Sequence, residues 1–149
     1  MQFVKEADIA APPDRVYAYL ADFSKHPEWT TPGHNVQMPD APAGTAAVGA
    51  NMHSTAHMFG SQQDEIKVEE MTPNQRIVYH VTMKNGDSFR QTIELRPSGS
   101  GTHMRKAVEF LKMSIPSWLF MPVAMILGPK ILAGDVERIK ARLEQPVSV

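Results

Sequence analysis

The stretch RIVYHVTMKNGDSFRQTIELR, residues 76–96, decides the architecture. Two runs of alternating character flank Lys84-Asn85-Gly86-Asp87. Asn and Gly both tolerate the positive φ that tight hairpin turns use. The runs Arg76–Lys84 and Ser88–Arg96 therefore read as paired antiparallel strands. In the first, Ile77, Tyr79, Val81 and Met83 share one face, and Arg76, Val78, His80 and Thr82 share the other. In the second, Gln91 lies beside Phe89 and Ile93 on the apolar face, while Arg90 points away.

Period two extends on both sides of this hairpin. Between Val48 and Met58, one parity carries Ala50, Met52, Ser54, Ala56 and Met58 and is the expected interior. The opposite parity carries Asn51, His53, Thr55, His57 and Phe59. Gln62–Met71 and Thr102–Leu111 read as further strands, set off by Met-Thr-Pro-Asn and Pro-Ser-Gly-Ser-Gly turns. In the last of them Met104, Lys106 and Val108 share the apolar parity, Phe110 continues it, and Arg105 faces out. Residues 2–9 alternate imperfectly, which suits an edge or outer strand.

Helical spacing appears twice. Pro12 and Pro13 precede Val16, Tyr19, Leu20 and Phe23, an amphipathic helix with proline at its start. A second short helix at Lys25–Glu28 is expected to return Trp29 to the core as a packing anchor. Near the C-terminus Ile131 or Leu132, Val136, Ile139 and Leu143 form an apolar stripe. Lys130, Asp135, Glu137, Arg138, Lys140, Arg142 and Glu144 supply its polar face. The apolar tract Ile115–Gly128 is 14 residues long and contains Pro116 and Pro122, too short and broken for an ordinary membrane span. It reads as an irregular first helical portion, broken near Gly128-Pro129.

The whole chain bounds the function. Its 149 residues suit one domain with one core. With 15 Lys plus Arg against 16 Asp plus Glu, the net charge of -1 creates no field for a phosphate backbone, so nucleic acid is not an expected partner. The absence of Cys removes disulfides, thiol nucleophiles and thiolate metal sites. The opening Met-Gln-Phe-Val-Lys-Glu lacks the order of a secretory signal, which makes a cytoplasmic location the default expectation.

His53 and His57, four residues apart on a strand, are roughly 13 Å apart and do not suit one ion; no metal is expected. Adjacent Glu69 and Glu70 would face opposite sides of a strand, which argues against a paired-carboxylate hydrolase. Nicotinamide, flavin and haem have no supporting motif, so no cofactor is expected. Gly99-Ser100-Gly101 reads as a turn rather than a phosphate loop. Gln91 and Lys106 would place polar groups in an apolar interior, where a ligand can supply the missing partner.

The element order, together with Ile9-Ala10-Ala11-Pro12-Pro13-Asp14-Arg15-Val16-Tyr17-Ala18-Tyr19-Leu20, Asp22-Phe23, His26-Pro27-Glu28-Trp29 and Val48-Gly49, resembles the START-like (SRPBCC) superfamily, including its polyketide cyclase/dehydrase and lipid-transport proteins. The resemblance covers nearly the whole chain. It implies an α+β helix-grip fold, in which a curved antiparallel sheet wraps a long C-terminal helix, with two short helices after the first strand. It also implies an elongated cavity within one START-like ligand-binding domain spanning residues 1–149.

A hydrophobic small molecule or lipid, bound or transported, is then the expected partner. Met52, Met58, Phe89, Gln91, Ile93 and Met104 are candidate contacts, with Lys106, Val108 and Phe110 beside them. Trp118, Phe120 and Met125, with Leu119 and Leu127, complete the set of candidate lining or gate residues. A cyclase- or dehydratase-like enzyme is the alternative, with His80 and Gln91 as candidate catalytic groups. A third reading exposes Trp118, Leu119, Phe120, Val123, Met125, Ile126 and Leu127 for transient contact with a membrane surface or a protein. The sequence does not set an oligomeric state.

Overall fold

The computed structural model describes residues 1–30, 36–57 and 61–145. Met58 and Phe59 fall outside them. Period-two alternation becomes six strands: β1 (Gln2–Ile9), β2 (Asn51–His57), β3 (Ser61–Thr72), β4 (Arg76–Thr82), β5 (Ser88–Ser98) and β6 (Gly101–Lys112). Their order is β1-β6-β5-β4-β3-β2, with every neighbouring pair antiparallel. β1 is thus an edge strand. The connection from β1 to β2 carries α1 (Pro13–Ala21) and a 3-10 helix (Phe23–Glu28). After β6 come α2 (Ile115–Leu119) and α3 (Met121–Leu143). A curved open sheet with a long C-terminal helix is the helix-grip α+β fold.

The β4–β5 hairpin closes as its sequence directs, with one difference. Gly86 takes a positive φ of 91°, whereas Asn85 does not. The Asn85 side-chain oxygen instead accepts the Asp87 N–H at 3.0 Å. Register then lays the inward residues in rows across the sheet. Tyr79, Gln91, Val108 and Phe3 form one row, and Ile77, Ile93 and Lys106 the next, which ends on the exposed Lys5 of the edge strand. β3 contains a bulge between Val68 and Glu70. The extra residue corrects the expectation for Glu69 and Glu70: the two reach arginines of one face, Arg90 at 3.5 Å and Arg76 at 3.3 Å.

Two corrections concern α3. The chain breaks at Phe120, between α2 and α3, and continues helical through Gly128 and Pro129. Pro129 lacks the N–H that would bond the carbonyl four residues earlier, but its fixed φ is compatible with a helix. Gly128 has a packing reason: a Cβ there would stand 2.5 Å from the Phe3 ring. The second correction is Asp135, which lies with its side chain only 13% exposed rather than on a solvated face. Leu132, Val136, Ile139 and Leu143 are buried as the stripe predicts, while Ile131 is exposed. Burying each of the four contributes on the order of 2 kcal/mol.

Candidate functional site

The strand registry builds a polar cluster inside an apolar core. Lys106 on β6 stands diagonally across from Gln91 on β5, and Gln91 directly faces Tyr79 on β4. The Lys106 ammonium donates to Gln91 Oε1, and the Tyr79 hydroxyl donates to the same oxygen at 2.9 Å. Lys106 Nζ also sits 5.4 Å from the centroid of the Trp29 ring. Only 1% of Lys106 and 1% of Trp29 is exposed.

Trp29 reaches this position through the 3-10 helix. The Asp22 carboxylate accepts the Ser24 N–H at 3.1 Å, and the Trp29 N–H donates to the His26 carbonyl at 3.2 Å. The Trp29 carbonyl in turn accepts from Arg138 Nε at 2.9 Å, and Arg138 pairs with Asp135 at 2.7 Å, tying the turn to α3. His26 stacks on Phe23 with centroids 4.1 Å apart, and its Nε2 contacts the Leu20 carbonyl at 2.9 Å. Trp29 Nε1 is buried without a hydrogen-bond partner.

Electrostatics follow from burial. Desolvation lowers the Lys106 amine to about 8, with Asp135 opposing the shift. Desolvation likewise lowers the His26 imidazole to about 4, against the support of its bond to the Leu20 carbonyl; Lys106 lowers it further. The Tyr79 phenol is raised, first by desolvation and then by Asp135. Near neutral pH the cluster therefore holds a neutral imidazole, a neutral phenol and an amine close to its titration point.

Gln91 and Lys106 are brought together, and Met52, Ile93 and Met104 are buried in the surrounding core. Phe89, Val108 and Phe110 are half-buried, with the Phe110 ring 5.8 Å from Phe3 and 6.1 Å from Phe89. Trp118, Phe120 and Met125 stand apart, 59%, 67% and 57% exposed. They do not wall the interior. His80 lies on the outer face between Lys67 and Arg90, away from Tyr79 and Gln91.

Sequence reasoning missed His26, and it did not bring Tyr79, Trp29 and Asp135 to this cluster. Tyr79 shared the apolar parity and carried a usable signal, but the contacts of Trp29 and Asp135 depend on how α3 crosses the sheet. Elsewhere, His53 pairs with Asp40 at 2.8 Å, and His103 bridges Glu6 at 2.9 Å and Asp8 at 2.8 Å. Among the described residues no group of three His, Asp or Glu side chains could hold a metal ion. An open groove of about 660 Å³ runs along Pro13, Asp14, Asn74, Gln75, Leu95, Arg96 and Pro97, and it includes none of the expected contacts.

Solved structures share this fold. A Chromobacterium violaceum protein superposes with a TM-score of 0.77 at 20% identity, covering 97% of this chain and 98% of its own. An Arthrobacter aurescens protein gives 0.77 at 16% identity over 99% and 88%. The Aha1 dimer from Colwellia psychrerythraea gives 0.67 at 16% identity over 99% and 99%. At these identities the likeness shows the fold alone. No protein with a curated description matches the sequence. The profile described as polyketide cyclase / dehydrase and lipid transport matches residues 1–144. From β1 to the end of α3, the chain belongs to the polyketide cyclase/dehydrase and lipid transport family.

Proposed function

We propose that the protein binds a hydrophobic small molecule or lipid between the sheet and α3, an oxygen of the ligand meeting the Lys106–Gln91–Tyr79 cluster. The observation that carries this reading is the buried Lys106 amine beside Gln91 and the Trp29 ring. An amine is a costly core residue: a methionine would fill similar space without the desolvation penalty. A ligand carbonyl, carboxylate or hydroxyl would offset that penalty, because Lys106 carries several donors. Trp29 Nε1 adds a buried donor without an acceptor. Met52, Ile93 and Met104 supply apolar walls, and the half-buried Phe89, Val108 and Phe110 lie toward the end from which an apolar body would enter.

Native mass spectrometry of gently purified protein, followed by organic extraction, tests the reading. The expected result is an apolar, oxygen-bearing molecule retained at one per chain and lost in Lys106→Met. A wild-type protein that retains nothing and takes up no such molecule on titration contradicts it.

The lowered amine favours a second reading, a cyclase- or dehydratase-like enzyme in which Lys106 exchanges a proton with a bound hydrophobic substrate. Gln91 would then orient the amine, and His80 would take no part from the other face. Turnover lost in Lys106→Met with affinity kept supports catalysis, whereas affinity lost first supports carriage.

A further inference from the structure

α3 divides into two halves at Gly128, where the helix rests on Phe3 near the start of β1. N-terminal to that contact β1 supplies only Gln2, and α3 continues back to Met121, about 10 Å at 1.5 Å per residue, as an overhang past the start of β1. The overhang is apolar on all sides. Leu119 is 77% exposed, and Ile115, Val123, Ile126 and Leu127 are exposed with the Trp118, Phe120 and Met125 trio.

Two further observations indicate what covers this surface. The first is charge. Residues 113–129 contain no charged side chain, and the exposed Lys112 and Lys130 bracket them. Lys130 follows Ile126 by four residues and so lies on its helix face. Exposed Lys84 belongs to the β4–β5 hairpin at the same end, where Lys112 Nζ comes within 3.9 Å of a Cβ position on Gly86. The carboxylate of that hairpin, Asp87, is turned inward: it accepts the Ser114 N–H at 2.7 Å and the Ser117 hydroxyl, fastening α2 to the hairpin. Glu109 faces the other side of the sheet, 3.9 Å from Arg90.

The second observation is position. Phe3, Phe89 and Phe110, half-buried inner residues in one chain of ring contacts, lie at this same end, with Phe3 against Gly128. An apolar knob with an exposed tryptophan, a basic rim and half-buried phenylalanines beside it matches the boundary of an anionic bilayer.

We propose that the α2–α3 overhang docks this protein on anionic phospholipid membranes, inserting Trp118, Leu119, Phe120 and Ile126 while Lys84, Lys112 and Lys130 meet the headgroups. No helix among the described residues is long and apolar enough to cross a membrane, so the contact is interfacial. It does not depend on the interior reading above.

The test is cosedimentation of the full chain with vesicles of phosphatidylcholine alone and of phosphatidylcholine mixed with phosphatidylserine, at low and high salt. Wild type is expected to bind the mixed vesicles at least about tenfold more tightly than the neutral ones, with the preference falling as salt rises. A blue shift of Trp118 emission should accompany binding. Leu119→Glu and Ile126→Glu, both at exposed positions, are expected to weaken binding about tenfold on either vesicle. The double variant Lys112→Glu/Lys130→Glu should lose only the preference for phosphatidylserine. Lys106→Met should bind vesicles like wild type, which separates this proposal from the interior one. Absence of binding to mixed vesicles at low salt overturns the proposal. So does a concentration-dependent dimer that Leu119→Glu abolishes in a protein indifferent to vesicles, which would assign the surface to a second copy.

Discussion

The chain has two tryptophans, and they occupy opposite regimes. Trp29 is 1% exposed, held under the Lys106 ammonium and linked through its carbonyl to α3. Trp118 is 59% exposed at the tip of an apolar overhang. The same contrast runs along α3, whose second half spends its stripe on the sheet while its first half leaves apolar side chains in water. Burial of an apolar residue depends on what faces it, not on its hydropathy. The inner region accordingly concentrates polar groups at a desolvation cost, and the outer one concentrates apolar groups at a solvation cost. Either cost is relieved by a partner of the complementary kind.

The largest predicted difference is between the tryptophans themselves. Trp29→Ala removes a fully buried ring and the aromatic face under Lys106, and should cost about 3–5 kcal/mol in urea unfolding. Trp118→Ala should stay within about 0.5 kcal/mol. Equal losses would erase the distinction between the regions.

pH sharpens the inner half of the comparison. The Lys106 amine is lowered in the fold, so between about 8 and its ordinary value of 10.5 the unfolded chain binds more protons than the native one. Stability should therefore rise with pH across that window, by about 3 kcal/mol at most. Subtracting the profile of Lys106→Met isolates this contribution from those of other groups, and a flat difference would refute it. His26 acts in the acid range. Its imidazole is lowered from 6.5 to about 4, so its contribution is complete above 6.5 and is lost as pH falls toward 4. The loss is again about 3 kcal/mol at most, and His26→Gln should remove the steep part of the acid unfolding curve.

The boundary between the regions is Gly128. Gly128→Ala sets a methyl against the Phe3 ring and should cost about 1–2 kcal/mol, with Phe3→Leu recovering part of it in the double variant. Beyond the boundary, Leu119→Ala should change stability by less than about 0.5 kcal/mol, measured by thermal unfolding.

The fold was legible because its signals are local. Alternation fixes which side chains share a face, Asn85-Gly86 marks a hairpin, and the Leu132–Leu143 stripe marks a packed helix. The Val68/Glu70 bulge was not legible, because one extra residue in a ladder leaves no distinctive pattern. The helix break at Phe120 was legible only in part: Pro122 marks the first turn of α3, where proline starts a helix, but the same residue type at Pro129 drew the expected break to the wrong place.

In the site, parity placed Gln91 and Lys106 on one inward face. It could not show their hydrogen bond, or bring Trp29 and Asp135 to them, because those contacts join elements distant in sequence. The apolar Ile115–Gly128 tract reads equally as lining or as exposed surface until its side chains are seen to be exposed N-terminal to the Gly128–Phe3 contact.

The account rests on an interior that accepts an apolar molecule by its oxygen, and Trp29 offers a direct reporter. In Trp118→Tyr the remaining tryptophan is Trp29. Its emission should be followed while a long-chain alkane, the matching alkanol and the matching alkanoic acid are titrated in turn. The account predicts a saturable change with the oxygen-bearing members, weakened at least about tenfold when Lys106→Met is added. No saturable change with any of them, or the same affinity with and without the Lys106 amine, would contradict it.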